Sequence, residues 1–276
     1  MLGAMTLSSL LPAVEALARR AGACVMAIYA DGDGAACQLR HKADASPVTA
    51  ADEQAEALIL AGLAGLTPDI PVVAEESVAA GHVPDIAGGR FWLVDPLDGT
   101  REFVSRNGEF TVNLALIDQG RPVLGVVLAP ALDGGAGRLW SGWTGPDGRG
   151  AWVEDHQGRR PMACRAVPPA GLSVLASRSH GDAAALQAFL AGRVVAESLA
   201  AGSSLKLCLI AEGQADLYPR LGRTMEWDIA AGDAVLRAAG GGVWRLDDGR
   251  PLDYGKPGFA NPHFCAAACA ATALGG

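Results

Sequence analysis

An apolar strand that runs straight into two carboxylates constrains this chain more than any other feature. Phe91-Trp92-Leu93-Val94 leads without a break into Asp95-Pro96-Leu97-Asp98-Gly99-Thr100. Pro96 fixes its own φ and biases Asp95 toward an extended backbone. Gly99 permits a positive φ or a close approach of backbone to ligand. Such a turn can point both carboxylates to one side and aim the Gly99 and Thr100 amides at an anion. Hard cations such as Mg²⁺ take oxygen ligands of this kind at about 2.0–2.1 Å. Taken alone, the segment also reads as an ordinary turn containing Pro and Asp-Gly.

Four further acids stand at the ends of predicted elements. Glu75-Glu76 follows the short apolar strand Val72-Val73-Ala74, and Asp228 lies at the head of an Ala-rich helix in Glu226-Trp227-Asp228. Asp52 completes Thr49-x-x-Asp52, the pattern of a helix capping box. Each has a plain structural reading, as surface decoration or as a helix-start acid favoured by the macrodipole. Spacing alone does not bring them together.

The rest of the chain supplies a frame for such a site. Leu7, Leu10, Leu11, Val14, Leu17, Ala18 and Ala21 recur at helical spacing and predict a helix over 7–30, and a second helix is predicted from Thr49 to about Leu66. Phe110–Ile117 and Val123–Leu128 read as a β pair, and Gly-rich turns with short strands at Leu139-Trp140 and Ala151–Val153 follow. Beyond about residue 165 the pattern alternates: a strand over 172–176, helices over 182–191 and 203–212, a strand over 215–218 and a helix over 228–239 stopped by Gly240-Gly241-Gly242. A layered α/β (α+β) architecture is expected. Its halves, 1–165 and 166–276, are expected to form one unit.

With 276 residues, half of them hydrophobic, the chain has ample material for a core. Its 22 Lys and Arg against 30 Asp and Glu give a net charge of −8. With no basic run, binding to a nucleic acid polymer is not expected. An anionic small substrate would need cations between itself and the protein. No transmembrane segment is expected. The six cysteines form no C-x-x-C pair and read as small buried hydrophobes in a reducing compartment. The expected location is cytoplasmic, with room for peripheral contact at the inner membrane face, and the sequence allows a homodimer.

The run WLVDPLDGTREFVSRNGEFTVNLALID, with VVAEES before it and WDIAAGDAVLRAAGG after it, resembles the inositol monophosphatase superfamily of Mg²⁺-dependent phosphatases. SPVTAAD, RNGEFTVN, SRSH, GSSLK and LYPR are similar to the bacterial 3′(2′),5′-bisphosphate nucleotidases within it. The resemblance implies an α-β-α-β-α sandwich with the site between the two halves. It implies two or three Mg²⁺ held by Glu75, Asp95, Asp98, Asp228 and the Leu97 carbonyl, with Glu75, Asp52 and Thr100 as catalytic residues. Asp52 and Thr100 would orient and activate the attacking water. Gly99, Thr100, His180, Ser203, Lys206, Arg220 and Asp228 would face the substrate, a small phosphorylated nucleotide. Ser203 and Lys206, three apart on one predicted helix, would share a ligand. The resemblance also implies that lithium would compete at a metal position; apart from it, the Gly/Ala-rich loop around Lys42 suggests that this lysine closes over the site.

The implied reaction is removal of the 3′-phosphate from adenosine 3′,5′-bisphosphate to give AMP, a step that serves sulfur assimilation. The alternative within the superfamily is an inositol or sugar monophosphatase. The alternative of another class is a non-catalytic phosphate- or metal-binding regulatory protein.

Overall fold

Odd and even residues of the central strands belong to different cores, and this divides the molecule into layers. The computed structural model describes residues 6–31, 40–41, 47–177 and 183–275. Helix α1 (Leu7–Ala30) precedes the short pair β1 (Arg40–His41) and β2 (Pro47–Val48). Helix α2 (Ala50–Leu66), β3 (Val72–Ala74), α3 (Glu75–Ala79), β4 (Arg90–Asp98) and α4 (Thr100–Val104) follow. Then come β5 (Thr111–Asp118), β6 (Arg121–Ala129), α5 (Leu132–Gly135), β7 (Arg138–Gly145), β8 (Gly148–Asp155) and β9 (Gly158–Pro161). These strands form one sheet in the order β3-β4-β5-β6-β7-β8-β9, parallel at β3–β4 and antiparallel beyond.

The second sheet comprises β10 (Leu172–Ser177), β11 (Val195–Ala201), β12 (Leu217–Arg220), β13 (Gly242–Arg245) and β14 (Phe264–Ala267), in the order β11-β10-β12-β14-β13. Its helices are α6 (Ala183–Leu190), α7 (Leu205–Ala211), α8 (Glu226–Ala238) and α9 (Ala270–Leu274). On β4, Trp92 and Val94 pack with α1 and α2, whereas Phe91 and Leu93 join a core with α7, α8 and the second sheet. A smaller cluster puts Ala273 of α9 and Phe189 of α6 on the second sheet's far side. The layers therefore run α-β-α-β-α. The alternation of side chains across a strand is what lets one sheet serve two cores.

Several sequence expectations are corrected. The Gly-rich stretch from 133 to 150 carries full strands rather than mainly turns, since β7 and β8 are paired from Leu139↔Glu154 to Gly145↔Gly148. Gly142 is a packing position: a Cβ there would lie 2.8 Å from that of Ala238 on α8. Among the described residues, the buried cysteines are Cys208 and Cys265; Cys24 and Cys164 are half-buried and Cys269 is exposed, while Cys37 lies outside the described residues. Among the described residues no helix is long and apolar enough to cross a membrane.

Candidate active site

A β-bulge sets the first two acids. Asp95 on β4 faces Asn113 of β5, and Asp98 faces Thr111, so three steps on one strand match two on the other. Residues 111 and 113 share a face of β5, and the extra residue therefore returns Asp98 to the face that Asp95 occupies. Leu97, at the bulge, buries its side chain in the opposite core and donates its N–H to Asp95 Oδ1 at 3.0 Å. Gly99 then turns at φ 93° into α4, whose first residue is Thr100.

Asp52 does two jobs. Its Oδ2 accepts from Thr49 N at 2.8 Å and Thr49 Oγ1 at 2.7 Å, closing the cap of α2. Its Oδ1 accepts from Thr100 Oγ1 at 3.3 Å. Asp228 is likewise the third residue of its helix and accepts from Met225 N at 2.9 Å. Two helix starts thus aim carboxylates at the turn after β4. Glu75 opens α3 at the end of β3, beside β4.

Electrostatics shows that these acids share a space. Burial holds Asp95 well above the usual carboxylate range, and Glu75, Asp98 and Asp228 push it further. Asp98 is pushed up to about 6 by burial, with Lys206 opposing and Glu75 adding to the rise. Burial, then Asp98 and Glu75, raise Asp228. Like charges removed from water disfavour their own ionisation. No three His, Cys, Asp or Glu side chains among the described residues are drawn around one point closely enough to hold an ion as they stand. The donor set nevertheless fits a hard divalent cation: it is all oxygen and negative, with Asp95 buried and Glu75, Asp98 and Asp228 half-buried. The unpartnered buried acceptors Asn113 Oδ1 and Thr111 Oγ1 lie on the strand positions opposite Asp95 and Asp98.

The second half closes on this turn through Ser203, Ser204 and Lys206. Ser203 does not begin a helix with Lys206, as the sequence reading expects, because α7 starts at Leu205 and Ser203 sits at φ 44°. Its hydroxyl lies 2.9 Å from the Asp98 carbonyl and 2.8 Å from that of Glu109. The Ser204 hydroxyl donates to the Asp228 carbonyl at 2.6 Å, with the Asp98 carboxylate 3.3 Å away, and accepts from Asn113 Nδ2 at 2.9 Å.

Lys206 is 4% exposed. Its ammonium donates to the carbonyls of Ala201 at 3.1 Å and Ser203 at 2.8 Å. Burial pushes it down to about 8 against the pull of Asp98. Arg220 ends β12 with Nη2 on the Arg223 carbonyl at 2.7 Å and with Nε buried and unpartnered. His180 and Lys42 lie outside the described residues.

Two acids that the sequence reading did not single out support the site. Glu226 is wholly buried under the first turn of α8. It accepts from Gly255 N at 2.7 Å and Lys256 N at 2.9 Å and pairs with the Lys256 ammonium at 2.7 Å. Glu56 lies one turn after Asp52 on α2, in line with the buried Ala55, Ile59 and Leu63. An acid on the apolar face of a helix is the signal that could have found it.

The pattern that defines the inositol monophosphatase family matches residues 6–275. The chain is 48% identical over 252 residues to the 3′(2′),5′-bisphosphate nucleotidase CysQ of Escherichia coli K12, covering 90% of this chain and 95% of that one. The crystal structure of CysQ from Bacteroides thetaiotaomicron superposes with a TM-score of 0.77 at 35% identity, covering 95% of this chain and 97% of the other. The inositol monophosphatase of Anabaena superposes at 0.73 with 26% identity, covering 96% and 93%.

Proposed function

This chain belongs to the inositol monophosphatase family, a family of metal-dependent phosphatases, and from that membership we propose that it is a 3′(2′),5′-bisphosphate nucleotidase. Its reaction is hydrolysis of the 3′-phosphate of adenosine 3′,5′-bisphosphate to AMP and phosphate. The observation that carries this reading is the meeting of the buried Asp95 with the half-buried Asp98 and Asp228, mutually repelling, with the hydrogen-bonded pair Thr100 and Asp52 beside them.

Glu75, Asp95, Asp98, Asp228 and the Leu97 carbonyl would hold two or three Mg²⁺. When bound, the cations neutralise the phosphoryl group and acidify a water. Thr100 Oγ1 would orient the attacking water, and Asp52 Oδ1 would accept a proton through the Thr100 hydroxyl. The capping bonds on Asp52 Oδ2 leave Oδ1 directed at Thr100. Lys206 and Arg220 supply positive charge from the second half, and the unpartnered Arg220 Nε–H supports a role toward the second phosphate. Ser203 acts through the backbone, since its hydroxyl already sits between two carbonyls. The division into halves near residue 165 falls between β9 and β10.

The deciding measurement is kcat/KM for adenosine 3′,5′-bisphosphate against inositol 1-phosphate in Mg²⁺. A strong preference for the nucleotide is expected, with activity abolished by EDTA and inhibited by lithium. Preference for the inositol ester would overturn the substrate assignment, and turnover after exhaustive chelation would overturn the mechanism.

Thr100→Val, which keeps the shape and removes the hydroxyl, should lower kcat about 10²- to 10⁴-fold, the range for a lost proton-transfer partner. KM should change little. Steady-state kinetics at saturating Mg²⁺ reads both, and an unchanged kcat would remove Thr100 from the proton path.

A further inference from the structure

Helix α3 begins with two acids and has no cap of its own. Glu75, Glu76 and Ser77 are its first three residues, and Ala74, at its N-cap, offers no side-chain hydrogen bond. The first amides of a helix have no partner within it and must find one elsewhere. Here the partner comes from another helix. Glu56 of α2, 4% exposed, accepts from Glu76 N at 2.8 Å through Oε2. Through Oε1 it accepts from Ser77 N at 2.8 Å and Ser77 Oγ at 2.6 Å. Both oxygens of a buried carboxylate are thus spent on the first turn of the helix that carries Glu75.

From this geometry we infer that Glu56 is a positioning residue for the metal centre: it caps α3 in trans and so fixes where Glu75 points. The inference rests on the reading of Glu75 as a metal ligand. Asp52 and Glu56 stand four residues apart on the same face of α2. One rigid helix therefore sets two parts of the site, the Thr100 side through Asp52 and the Glu75 side through Glu56. The placement is economical because the five residues of α3 are too few to hold a shape alone. The negative carboxylate also lies where the helix dipole favours it.

The test is Mg²⁺ binding measured directly by titration calorimetry on the full chain, with Glu56→Ala, Glu56→Gln and Ser77→Ala. Glu56→Ala should weaken Mg²⁺ binding about 10- to 100-fold, the usual loss when an outer partner of a metal ligand is removed. Glu56→Gln keeps one full acceptor and should fall between Glu56→Ala and the parent. Ser77→Ala removes one of three bonds and should shift in the same direction by a smaller factor. At saturating Mg²⁺ the KM for the nucleotide should stay that of the parent, which separates positioning of the metal from general loosening.

If Glu56→Ala does not fold, the other two variants carry the test, and both must weaken Mg²⁺ binding. Parent-like Mg²⁺ binding in the variants, or a KM that rises along with a general fall in thermal stability, would overturn the inference and leave the phosphatase reading standing. A parent chain that binds no Mg²⁺ would overturn both.

Discussion

Asp95→Asn should lower kcat/KM in Mg²⁺ by at least about a hundredfold, since even an outer partner of a metal ligand can cost that much. The same change should raise the unfolding temperature in EDTA. Both effects have one cause. Asp95 is buried among Glu75, Asp98 and Asp228, which oppose its charge. Without cations that charge weakens the fold, and with them it is what binds. The pH dependence has a definite sign. A carboxyl group whose folded pKa is raised holds its proton more readily in the folded state, so the stability it contributes is present at low pH and lost as pH climbs through that raised value. For Asp98 the window runs from the ordinary 3.8 to about 6. In EDTA the parent's unfolding temperature should therefore fall across that window, and Asp98→Asn should flatten the fall. Mg²⁺ added at the upper end should reverse it, because cation and proton compete for the same oxygens. Thermal unfolding followed by circular dichroism reads all of this. An Asp95→Asn protein that is fully active, or that melts lower than the parent in EDTA, would contradict this account.

The second large effect is expected far from any functional group. A Cβ on Gly125 of β6 would stand 2.4 Å from the Ala231 carbonyl and 2.7 Å from the Ala234 Cβ, both on α8. Nothing there can swing aside, because one contact is helix backbone and the other a methyl attached directly to it. Gly125→Val must push α8 off the sheet. Overpacking of this kind costs about 1–3 kcal/mol or more, and each kcal/mol lowers Tm by about 2–4 °C in a chain of this size. Asp228 rides on the first turn of α8. A displacement of about 1 Å at a reacting centre can cost about a hundredfold in rate, so activity should fall more steeply than stability. Gly65→Ala is the control. A Cβ there meets nothing within 4 Å, and the helix α2 should gain about 0.5–1 kcal/mol. A Gly125→Val protein with the parent's Tm and kcat would show that the two layers are not in the close contact described.

The long helices and the strand into Asp95 were legible in the sequence because their signals are local. The apolar spacing from Leu7 to Ala21 marks α1, and Thr49 with Asp52 marks the start of α2. The acids were legible as candidates, but their convergence was not. The bulge that sends Asp98 back to the face of Asp95 is a matter of register with β5, and no spacing within β4 reveals it. The β7–β8 hairpin was hidden by its glycines, which read as turn residues. Gly142 and Gly150 instead make room, the first for α8 and the second for the Trp152 ring 2.2 Å from where its Cβ would be. Strand β11 gave no alternation because almost all of its residues are exposed. Ser203 could not be seen to leave the helix pattern, since its left-handed backbone is imposed by the contacts of its hydroxyl with the Asp98 and Glu109 carbonyls.

The order in which strands join the first sheet also bears on when the enzyme comes alive during synthesis. From β4 to β9 every strand pairs with its neighbour in sequence, so this ladder is built from short-range contacts that form early. It carries Asp95 and Asp98, with Asp52 and Glu75 just ahead of it in the chain. Asp228 emerges from the ribosome only after β9, β10, β11 and β12, and α8 must then fold back onto β5, β6 and β7. A nascent or truncated chain thus carries most of the acids and no finished centre. Phosphatase activity is in this sense a report that synthesis has passed α8 and that this helix has docked.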